Sequence, residues 1–499
     1  MTRRIFWLTT TVLIYLVSRI YAMTQIPVFL DEAIHLDWAR PSLDSMGAPP
    51  GFQGRWLTIK LFSLVTALRW PFHDLLAARL VVVLIGLSTA LACYLVAREL
   101  FSSQAGVITV ALYLVLPFTL IYTSLAMTDG IELALAAWAI LLSVRLTRSK
   151  QWSDSILLPL VITCAALFKF SGLLLAVVPV VAILVLAPRE KWLRLLLRAA
   201  LAVMVPFGLI LALRRLGMLQ IMEDKMVKGS VTLGQAWTNL IMTGNWLWGL
   251  LTPVIVIFAG VGIILLSCKR TRPALFVVAL LLITILPYVI FAESWYPRYL
   301  LISAIPLMLA VSEMLTETIV LIQRQRSIPQ PFASVIVVAA VLLWPTLRSG
   351  AVLFDLPRAG LPEQERYQLV TGWPSGYGVQ ELAGFLQEQS QTTKGGIAVA
   401  RLHWWDQPLQ GLNVYLSDSP ALSLYTIDYR EHGILRTLAH LSTRRRTLLV
   451  LSTEQGMPTR LPEQIAPVLK CGHSVWSYTR PGNITGLVVY ELACGELAT

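Results

Sequence analysis

Charged residues are scarce in this sequence. Only 14% of its 499 residues are charged and 56% are hydrophobic, and the mean hydropathy is +0.68. Soluble proteins carry about 25% charged residues, so the composition excludes an ordinary soluble protein and indicates a chain that crosses a membrane several times. The formal charge of +12 does not predict a nucleic-acid partner, because the basic residues cluster in short loops between apolar runs, as membrane topology requires.

Several motifs that mark nucleotide and metal sites are also absent. There is no G-x-x-x-x-G-K-[ST] loop, no G-x-G-x-x-G after a predicted strand, no HExxH and no pair of CxxC motifs. These absences exclude nucleotide sites of those two kinds and zinc sites of the other two. We predict no metal ligand and no certain cofactor. A divalent metal stays open because His35 follows Asp31 by four residues, although His35 is better explained as an interfacial residue.

The sequence contains eleven apolar runs that we predict to be transmembrane helices, which typically need about 17–25 such residues. They lie at 5–24, 74–97, 105–122, 130–147, 154–169, 171–187, 192–213, 246–267, 273–292, 299–321 and 331–349. The fifth and sixth runs are short and are also compatible with a hairpin that dips into the bilayer. The first run is preceded by Arg3 and Arg4 and is interpreted as an uncleaved anchor.

Basic residues in the predicted loops favour one orientation, with the amino terminus in the cytoplasm. The inner loops then contain Arg98, Arg145, Arg148, Lys150, Arg189, Lys191, Arg194, Arg198, Lys269, Arg270, Arg272, Arg324 and Arg326. Arg214, Arg215, Lys225 and Lys228 fall on the outer side and count against this orientation. An odd number of spans places everything after Gly350 outside the cell membrane.

The segment from Gly54 to Trp70 has two interpretations. Polar residues recur along it at intervals of three to five, with apolar residues between them. A polar stripe on a helix of this length favours a position in the plane of the membrane interface. If the segment crossed the membrane instead, every later loop would change sides and the basic loops would face the wrong way.

After Asp355 the composition becomes that of a soluble domain. Predicted helices at 378–389 and 461–469 alternate with β-rich runs at 396–402, 446–452, 475–480 and 487–492, an α/β pattern. We therefore predict a mainly α-helical polytopic membrane domain at 1–350, with an outer loop at 25–72, and a soluble extracytoplasmic α/β domain at 351–499. The run Gly372–Gly378 fits turn geometry before a helix and is assigned no chemistry.

Acids and cations gather at the predicted outer ends of the spans. Asp31 and Glu32 follow the first span, Asp129 begins the fourth, Lys169 lies between the two short spans, and Arg298 lies between the ninth and tenth. Carboxylates can act as general bases and cations can neutralise a phosphate, so the set suits transfer from a phosphate-linked lipid donor. Alternatively, the acids simply open a solvated loop and each cation reaches a lipid headgroup.

The sequence resembles the GT-C superfamily of membrane glycosyltransferases, in the branch of protein O-mannosyltransferases and lipid A aminoarabinose transferases. The resemblance covers about the first 350 residues, and it rests on the runs Leu30-Asp31-Glu32-Ala33, Thr128-Asp129-Gly130, Phe168-Lys169-Phe170-Ser171-Gly172 and Pro297-Arg298-Tyr299. It implies a polyprenyl-phosphate sugar as donor and chemistry on the extracytoplasmic face. It also implies catalytic roles for Asp31, Glu32 and Asp129, and donor-phosphate binding by Arg298, Lys169, Arg55 and Tyr299.

One departure from the family leaves the donor's identity open. Relatives often carry a Lys or His just before a Pro-Pro-Leu run, whereas this sequence has Ala48-Pro49-Pro50-Gly51. Arg55 or Lys60 is a candidate replacement for the missing cation. The predicted function is transfer of a sugar, with inversion, to a hydroxyl of a protein, lipid or glycan acceptor in contact with membrane lipids. The alternatives are a transporter or flippase of lipid-linked or anionic substrates and a surface-glycan polymerase or ligase.

The sequence has five cysteines. Cys93, Cys164 and Cys268 lie within or beside apolar runs, where cysteine acts as a small apolar residue. Cys471 and Cys494 flank two predicted strands and are equally far from the turn at 481–484, so a symmetrical hairpin would place them opposite one another. We predict a Cys471–Cys494 disulfide, which requires an oxidising compartment. A bulge that shifts the register would remove this pairing.

Overall fold

The computed structural model describes residues 2–40, 55–68, 70, 73–148, 151–217, 232–293, 295–324, 330–393, 395–402, 407–417, 419–427, 434–452 and 469–493. The described chain is mainly helical and divides into two compact units. The first comprises Met1–Gln25, Gly47–Phe72 and Leu76–Pro362, and the second comprises Ile26–Met46, His73–Leu75 and Glu363–Thr499. Residues 26–46 therefore group with the carboxyl-terminal residues, and the expected domains at 1–350 and 351–499 stay predictions.

The first unit is built from apolar α-helices. These are α1 (Thr2–Gln25), α3 (Trp56–Ala67), α4 (Asp74–Leu100), α5 (Ser103–Val115), α6 (Pro117–Tyr122), α7 (Thr128–Arg148), α8 (Trp152–Phe168), α9 (Val177–Leu186), α10 (Trp192–Arg215), α11 (Leu233–Leu251), α12 (Pro253–Lys269), α13 (Thr271–Phe291), α14 (Ala304–Arg324) and α15 (Gln330–Phe354). The first residues of α4 are grouped with the second unit. A short 3₁₀ segment, Phe170–Ala176, precedes α9, and another, Pro297–Ser303, precedes α14.

The expected count of eleven spans is not confirmed. In the described part of the chain, six helices are long and apolar enough to cross a membrane, and the count reaches eight if each of two bent helix pairs is one span. The expected span at 246–267 is not one straight helix, because α11 and α12 meet within it at a bend of 110°. Pro253 opens α12 and Thr252 has a φ of 77°, and a proline cannot continue the helical hydrogen bonding of the residues before it.

Proline also divides the expected span at 105–122. Pro117 has no N–H to donate to the carbonyl of Tyr113, so α5 ends and α6 begins at this point. The expected short spans at 154–169 and 171–187 are apolar helices of fewer than 18 residues. The helix α3 has 12 residues, too few for a straight crossing, and its position at a membrane interface stays a prediction.

A buried arginine supplies the hydrogen bonds that the α5–α6 break removes. Arg19, on α1, is fully buried and donates to the carbonyls of Tyr113 at 3.1 Å and Leu114 at 2.7 Å. Its guanidinium carbon lies 4.9 Å from the centroid of the Tyr15 ring. Thr119 also donates to the Tyr113 carbonyl. The last carbonyls of α5 are therefore satisfied by side chains, as helix ends inside a protein require.

We predict that Arg19→Met destabilises the protein, because the half-buried Leu114 carbonyl loses the hydrogen bond from Arg19. An unsatisfied buried group costs about 1–3 kcal/mol. Thermal unfolding of the purified protein in detergent should show a lower midpoint than for wild type. Arg194→Met removes an exposed arginine of α10 and serves as the control, which we expect to unfold as wild type does. Equal midpoints for both variants would contradict this interpretation of Arg19.

The second unit contains an α/β fold with the helices α2 (Leu30–Ala39), α16 (Glu363–Arg366), α17 (Val379–Thr392), α18 (Gln407–Leu416) and α19 (Ile434–Arg444). Its described strands are β1 (Ile397–Leu402), β2 (Leu422–Ile427), β3 (Arg446–Ser452), β4 (Gly472–Arg480) and β5 (Ile484–Leu492), in the order β2-β1-β3-β5-β4. β1 pairs in parallel with β2 and β3, and β5 pairs antiparallel with β3 and β4. Ala400, Leu438 and Leu449 belong to the core.

The predicted strands correspond to β1, β3, β4 and β5, and the helix expected at 378–389 is α17. The edge strand β2 was not predicted, and the helix expected at 461–469 lies mostly outside the described residues. Arg446 donates from two nitrogens to both carboxylate oxygens of Glu491, at 2.9 Å each. These hydrogen bonds lower the pKa of Glu491 and fasten the start of β3 to the end of β5.

The hairpin that ends the described chain is shifted by one residue from the expected register. Gly472 pairs with Leu492 and the N–H of Ala493 donates to the carbonyl of Cys471 at 3.0 Å, so Cys471 lies opposite Ala493. The shift is already present at the turn, where Arg480 pairs with Ile484, and the irregularities between Tyr478 and Thr479 and between Ser474 and Trp476 offset one another. Cys471 is disulfide-bonded. Cys494 lies outside the described residues, and its pairing with Cys471 stays a prediction. Cys93, Cys164 and Cys268 are free.

Candidate active site

Two buried carboxylates hold one buried lysine in the first unit. The Nζ atom of Lys169 lies 2.8 Å from Oδ1 of Asp129 and 3.0 Å from Oε2 of Glu132. Ser171 donates from Oγ to Oε1 of Glu132 at 2.6 Å. All four side chains are buried. We call Asp129, Glu132, Lys169 and Ser171 the lysine cluster.

The local sequence explains how α7 presents both acids. Asp129 lies in the first turn of α7, where the positive end of the helix dipole stabilises a carboxylate. Glu132 follows three residues later, and side chains at that spacing share one face of a helix. The sequence motif Thr128-Asp129-Gly130 predicted only the first acid. The spacing of Asp129 and Glu132 is the signal that would have identified the second.

Lys169 is positioned by the break between α8 and the 3₁₀ segment Phe170–Ala176. The residue itself is extended, with φ −155° and ψ 129°. Its N–H donates to the carbonyl of Ala165 at 2.9 Å, and the N–H of Gly172 donates to the carbonyl of Lys169 at 2.8 Å. A Cβ atom at position 172 would lie 2.4 Å from the carbonyl carbon of Ala165, so only glycine allows this close approach.

Aromatic rings surround the cations. The 3₁₀ segment Pro297–Ser303 carries both Arg298, which is buried, and Tyr299. Lys169 Nζ lies 4.5 Å from the centroid of the Tyr299 ring, and Arg298 Cζ lies 4.6 Å from that of Tyr296. Tyr299 packs in turn against Tyr288, with ring centroids 5.6 Å apart. Cation–π contacts of this kind stabilise partly desolvated cations.

The first unit thus brings together five of the predicted site residues, which are Arg55, Asp129, Lys169, Arg298 and Tyr299. Tyr299 contacts Lys169 and Arg298, and the guanidiniums of Arg55 and Arg298 lie within electrostatic range of the Asp129 carboxylate, as does Lys169. Three cations, Lys169, Arg55 and Arg298, thus act on the one carboxylate of Asp129. A concentration of cations of this kind suits the binding of an anion.

An apolar cavity borders the lysine cluster. It has a volume of about 610 Å³, within the range of about 300–1,000 Å³ that is usual for ligand pockets. Ser171 and Tyr299 line it together with Phe170, Leu174, Val177, Phe207, Pro287, Tyr288, Phe291 and Trp295. Tyr288 and Trp295 stack with ring centroids 5.7 Å apart. A ligand with an apolar chain and an anionic head matches this combination.

Asp31 and Glu32 belong to the second unit. Both lie in the first turn of α2, and Oε2 of Glu32 accepts the N–H of Phe29 at 2.9 Å. Glu32 is fully buried. Its side chain therefore caps the start of α2, as glutamate does at this position in a capping box. In the described ranges, no group of three or more His, Cys, Asp or Glu residues has a geometry that could hold a metal ion.

Comparisons with known proteins show what this chain is similar to. A family model described as dolichyl-phosphate-mannose-protein mannosyltransferase matches residues 56–213, less than half of the chain. A comparison with curated proteins gives no match. Among solved structures, ArnT from Cupriavidus metallidurans in the apo state matches with a TM-score of 0.60 and 15% identity, over 100% of this chain and 99% of that chain.

The same ArnT bound to undecaprenyl phosphate matches with a TM-score of 0.58 and 15% identity, over 99% of each chain. The oligosaccharyltransferase of Archaeoglobus fulgidus in its apo form matches with a TM-score of 0.52 and 11% identity, over 89% of this chain and 69% of that chain. The chain has a GT-C-like fold. This finding confirms the resemblance drawn from the sequence.

We predict that Lys169→Met strongly destabilises the protein, because it leaves two carboxylates buried without their shared cation. Removing one partner of a buried ion pair costs about 3–5 kcal/mol. The triple variant Lys169→Met, Asp129→Asn, Glu132→Gln carries no charge at these positions and should recover part of the loss. Thermal unfolding in detergent measures both. A triple variant no more stable than Lys169→Met alone would contradict this account of the lysine cluster.

Proposed function

We propose that the protein is a glycosyltransferase that moves a sugar from a polyprenyl-phosphate donor to an acceptor hydroxyl. The observation that carries the proposal is that three cations gather around Asp129 beside the apolar cavity. Ser171 and Tyr299 line the cavity and also contact the lysine cluster. The cavity would hold the part of the isoprenoid chain next to the phosphate. Lys169, Arg298 and Arg55 would neutralise the phosphate, with arginine offering two parallel hydrogen bonds.

The reaction breaks the bond between the anomeric carbon of the sugar and the phosphate oxygen. That oxygen keeps the electron pair, and cations already in place stabilise the charge that develops on it. The acceptor oxygen forms the new bond to the anomeric carbon and loses its proton to a base. A single displacement of this kind inverts the configuration at the anomeric carbon.

We assign the role of base to Asp31. Asp129 and Glu132 both contact Lys169, and Glu132 also accepts from Ser171, so their carboxylates are engaged in holding the cation. Glu32 caps α2 through the N–H of Phe29. Asp31 lies in the first turn of α2 and stands in the run Leu30-Asp31-Glu32-Ala33, to which the resemblance to membrane glycosyltransferases assigns a catalytic acid. No metal is required by this scheme.

The reaction would take place on the extracytoplasmic face of the cell membrane. The distribution of basic residues in the sequence supports this orientation, with the amino terminus in the cytoplasm and the soluble α/β fold outside. The acceptor is a protein, lipid or glycan hydroxyl. The structure of ArnT with undecaprenyl phosphate supports a polyprenyl phosphate as the carrier.

The purified protein incubated with a radiolabelled polyprenyl-phosphate sugar should transfer or release the label. Movement of the intact donor across a vesicle membrane, without cleavage, would instead favour a flippase.

Arg298→Gln should lower kcat/KM for the donor about 10- to 150-fold, since a hydrogen bond to a charged group contributes about 1.5–3 kcal/mol. Arg272→Gln, which removes an exposed arginine of α13, is the matched control and should behave as wild type. Unchanged kcat/KM in Arg298→Gln would contradict its assignment to the phosphate.

Asp31→Asn should lower kcat by about 10²–10⁴-fold, the contribution of a positioned general base. The KM for the donor should change little, because the amide preserves shape and the phosphate contacts lie on other residues. Glu388→Gln removes an exposed carboxylate from α17 and controls for the loss of one charge. Wild-type turnover by a correctly folded Asp31→Asn would contradict the assignment of Asp31 as the base.

A further inference from the structure

The run Gly372–Gly378, which the sequence left without a role, contacts the start of α2. The N–H of Leu30 donates to the carbonyl of Pro374 at 3.1 Å, one residue before Asp31. A Cβ atom at Gly376 would lie 2.0 Å from the carbonyl oxygen of Val28. The two backbones therefore pack directly on each other, and no side chain fits between them. We call residues 372–378 the Trp-Pro turn.

The Trp-Pro turn is fixed by its own hydrogen bonds. Ser375 is fully buried. Its Oγ atom donates to the carbonyl of Leu369 at 3.2 Å and accepts the N–H of Tyr377 at 3.3 Å. The N–H of Ser375 donates to the carbonyl of Gly372 at 3.0 Å. A turn held in this way provides a rigid support for the backbone of residues 28–30.

The other end of α2 is held by α18. The Nδ2 atom of Asn413 donates to Oδ1 of Asp37 at 2.9 Å. Arg40 donates from Nη1 to the carbonyl of Asn413 at 2.8 Å and from Nη2 to Asp74 at 2.7 Å. Arg401, which is buried in β1, donates to the side chain of Asn413. Asn413 is thus fixed in orientation while it holds Asp37.

We propose that the Trp-Pro turn and Asn413 are positioning elements for Asp31. Together they fix both ends of the ten-residue helix α2, and so they set where the Asp31 carboxylate meets the acceptor hydroxyl. A general base must lie within hydrogen-bonding distance of its proton, and a misplacement of about 1 Å can cost about 10²-fold in rate. The contribution of the soluble α/β fold to transfer is therefore alignment of the base rather than recognition of the acceptor. This inference rests on the proposed function, because it takes Asp31 as the base.

Gly376→Ala tests the turn. The added methyl group would meet the backbone of Val28, which cannot move aside as a flexible side chain can. We expect kcat to fall about 10- to 100-fold, with the KM values for donor and acceptor unchanged. Gly384→Ala in α17 is the matched control, because a Cβ atom there has no atom within 4 Å, and it should keep wild-type kcat. A raised acceptor KM with unchanged kcat would indicate acceptor recognition and overturn the proposal.

A second series tests Asn413 and does not depend on whether Gly376→Ala folds. Asn413→Asp places two carboxylates against each other and should lower kcat, whereas Asp37→Asn should stay close to wild type because an amide oxygen can accept the same hydrogen bond. The double variant Asp37→Asn, Asn413→Asp restores the bond with donor and acceptor exchanged, and it should recover kcat. Failure of the double variant to recover kcat, when it unfolds at the wild-type temperature, would overturn the proposal.

Asp31→Asn, assayed beside both series, distinguishes failure of the proposed function from failure of the inference that the Trp-Pro turn and Asn413 position Asp31. If Asp31→Asn is inactive while Gly376→Ala and Asn413→Asp keep wild-type kcat, the inference fails and the proposed function stands. If Asp31→Asn keeps wild-type kcat, the assignment of the base fails, and the inference that rests on it is overturned as well. Loss of kcat in all three, with recovery in the exchanged pair, supports both.

Discussion

The candidate site depends on the pairing of one buried ammonium group with two buried carboxylates. A charge far from water is tolerated only when opposite charges and hydrogen bonds replace its hydration, and Lys169 obtains both from Asp129, Glu132 and the Tyr299 ring. The pairing requires the start of α7, which carries Asp129, to lie next to the end of α8, which Lys169 directly follows. It also explains why the cavity next to the cluster can be apolar, because Lys169 finds its carboxylate partners within the cluster and needs none from the cavity wall.

The sequence predicted the residues that carry charge at helix ends better than it predicted their arrangement. Asp129, Lys169, Arg298 and Tyr299 each stand in a short motif, and the structure brings them together. Glu132 was not predicted because it lies inside an apolar run, where hydropathy alone assigns it to a membrane helix. The proximity of Lys169 to the acids depends on the close approach at Gly172, a feature of packing that residue types do not reveal.

Helix breaks caused the main errors in the predicted fold. An average hydropathy over 246–267 or 105–122 does not register one proline, yet Pro253 and Pro117 divide these runs into separate helices. The strand β2 was missed because its six residues lie at the edge of the sheet, where partial burial weakens the apolar pattern. The Trp-Pro turn was identified as a turn, but its partner near residue 28 is more than 300 positions away along the chain, beyond the reach of local patterns.

The contacts of Arg19 determine when, during synthesis of the chain, the first helix can reach its final packing. On scales of insertion by the translocon, an arginine costs about 2.5–3.5 kcal/mol at the centre of a membrane helix, and Arg19 lies six residues before the end of α1. The carbonyls that satisfy Arg19 belong to Tyr113 and Leu114, which are 94 and 95 residues further along the chain. The first helix therefore reaches its final environment only after the ribosome has synthesised the α5–α6 break. Until then, water, lipid headgroups or the insertion machinery must solvate the guanidinium group.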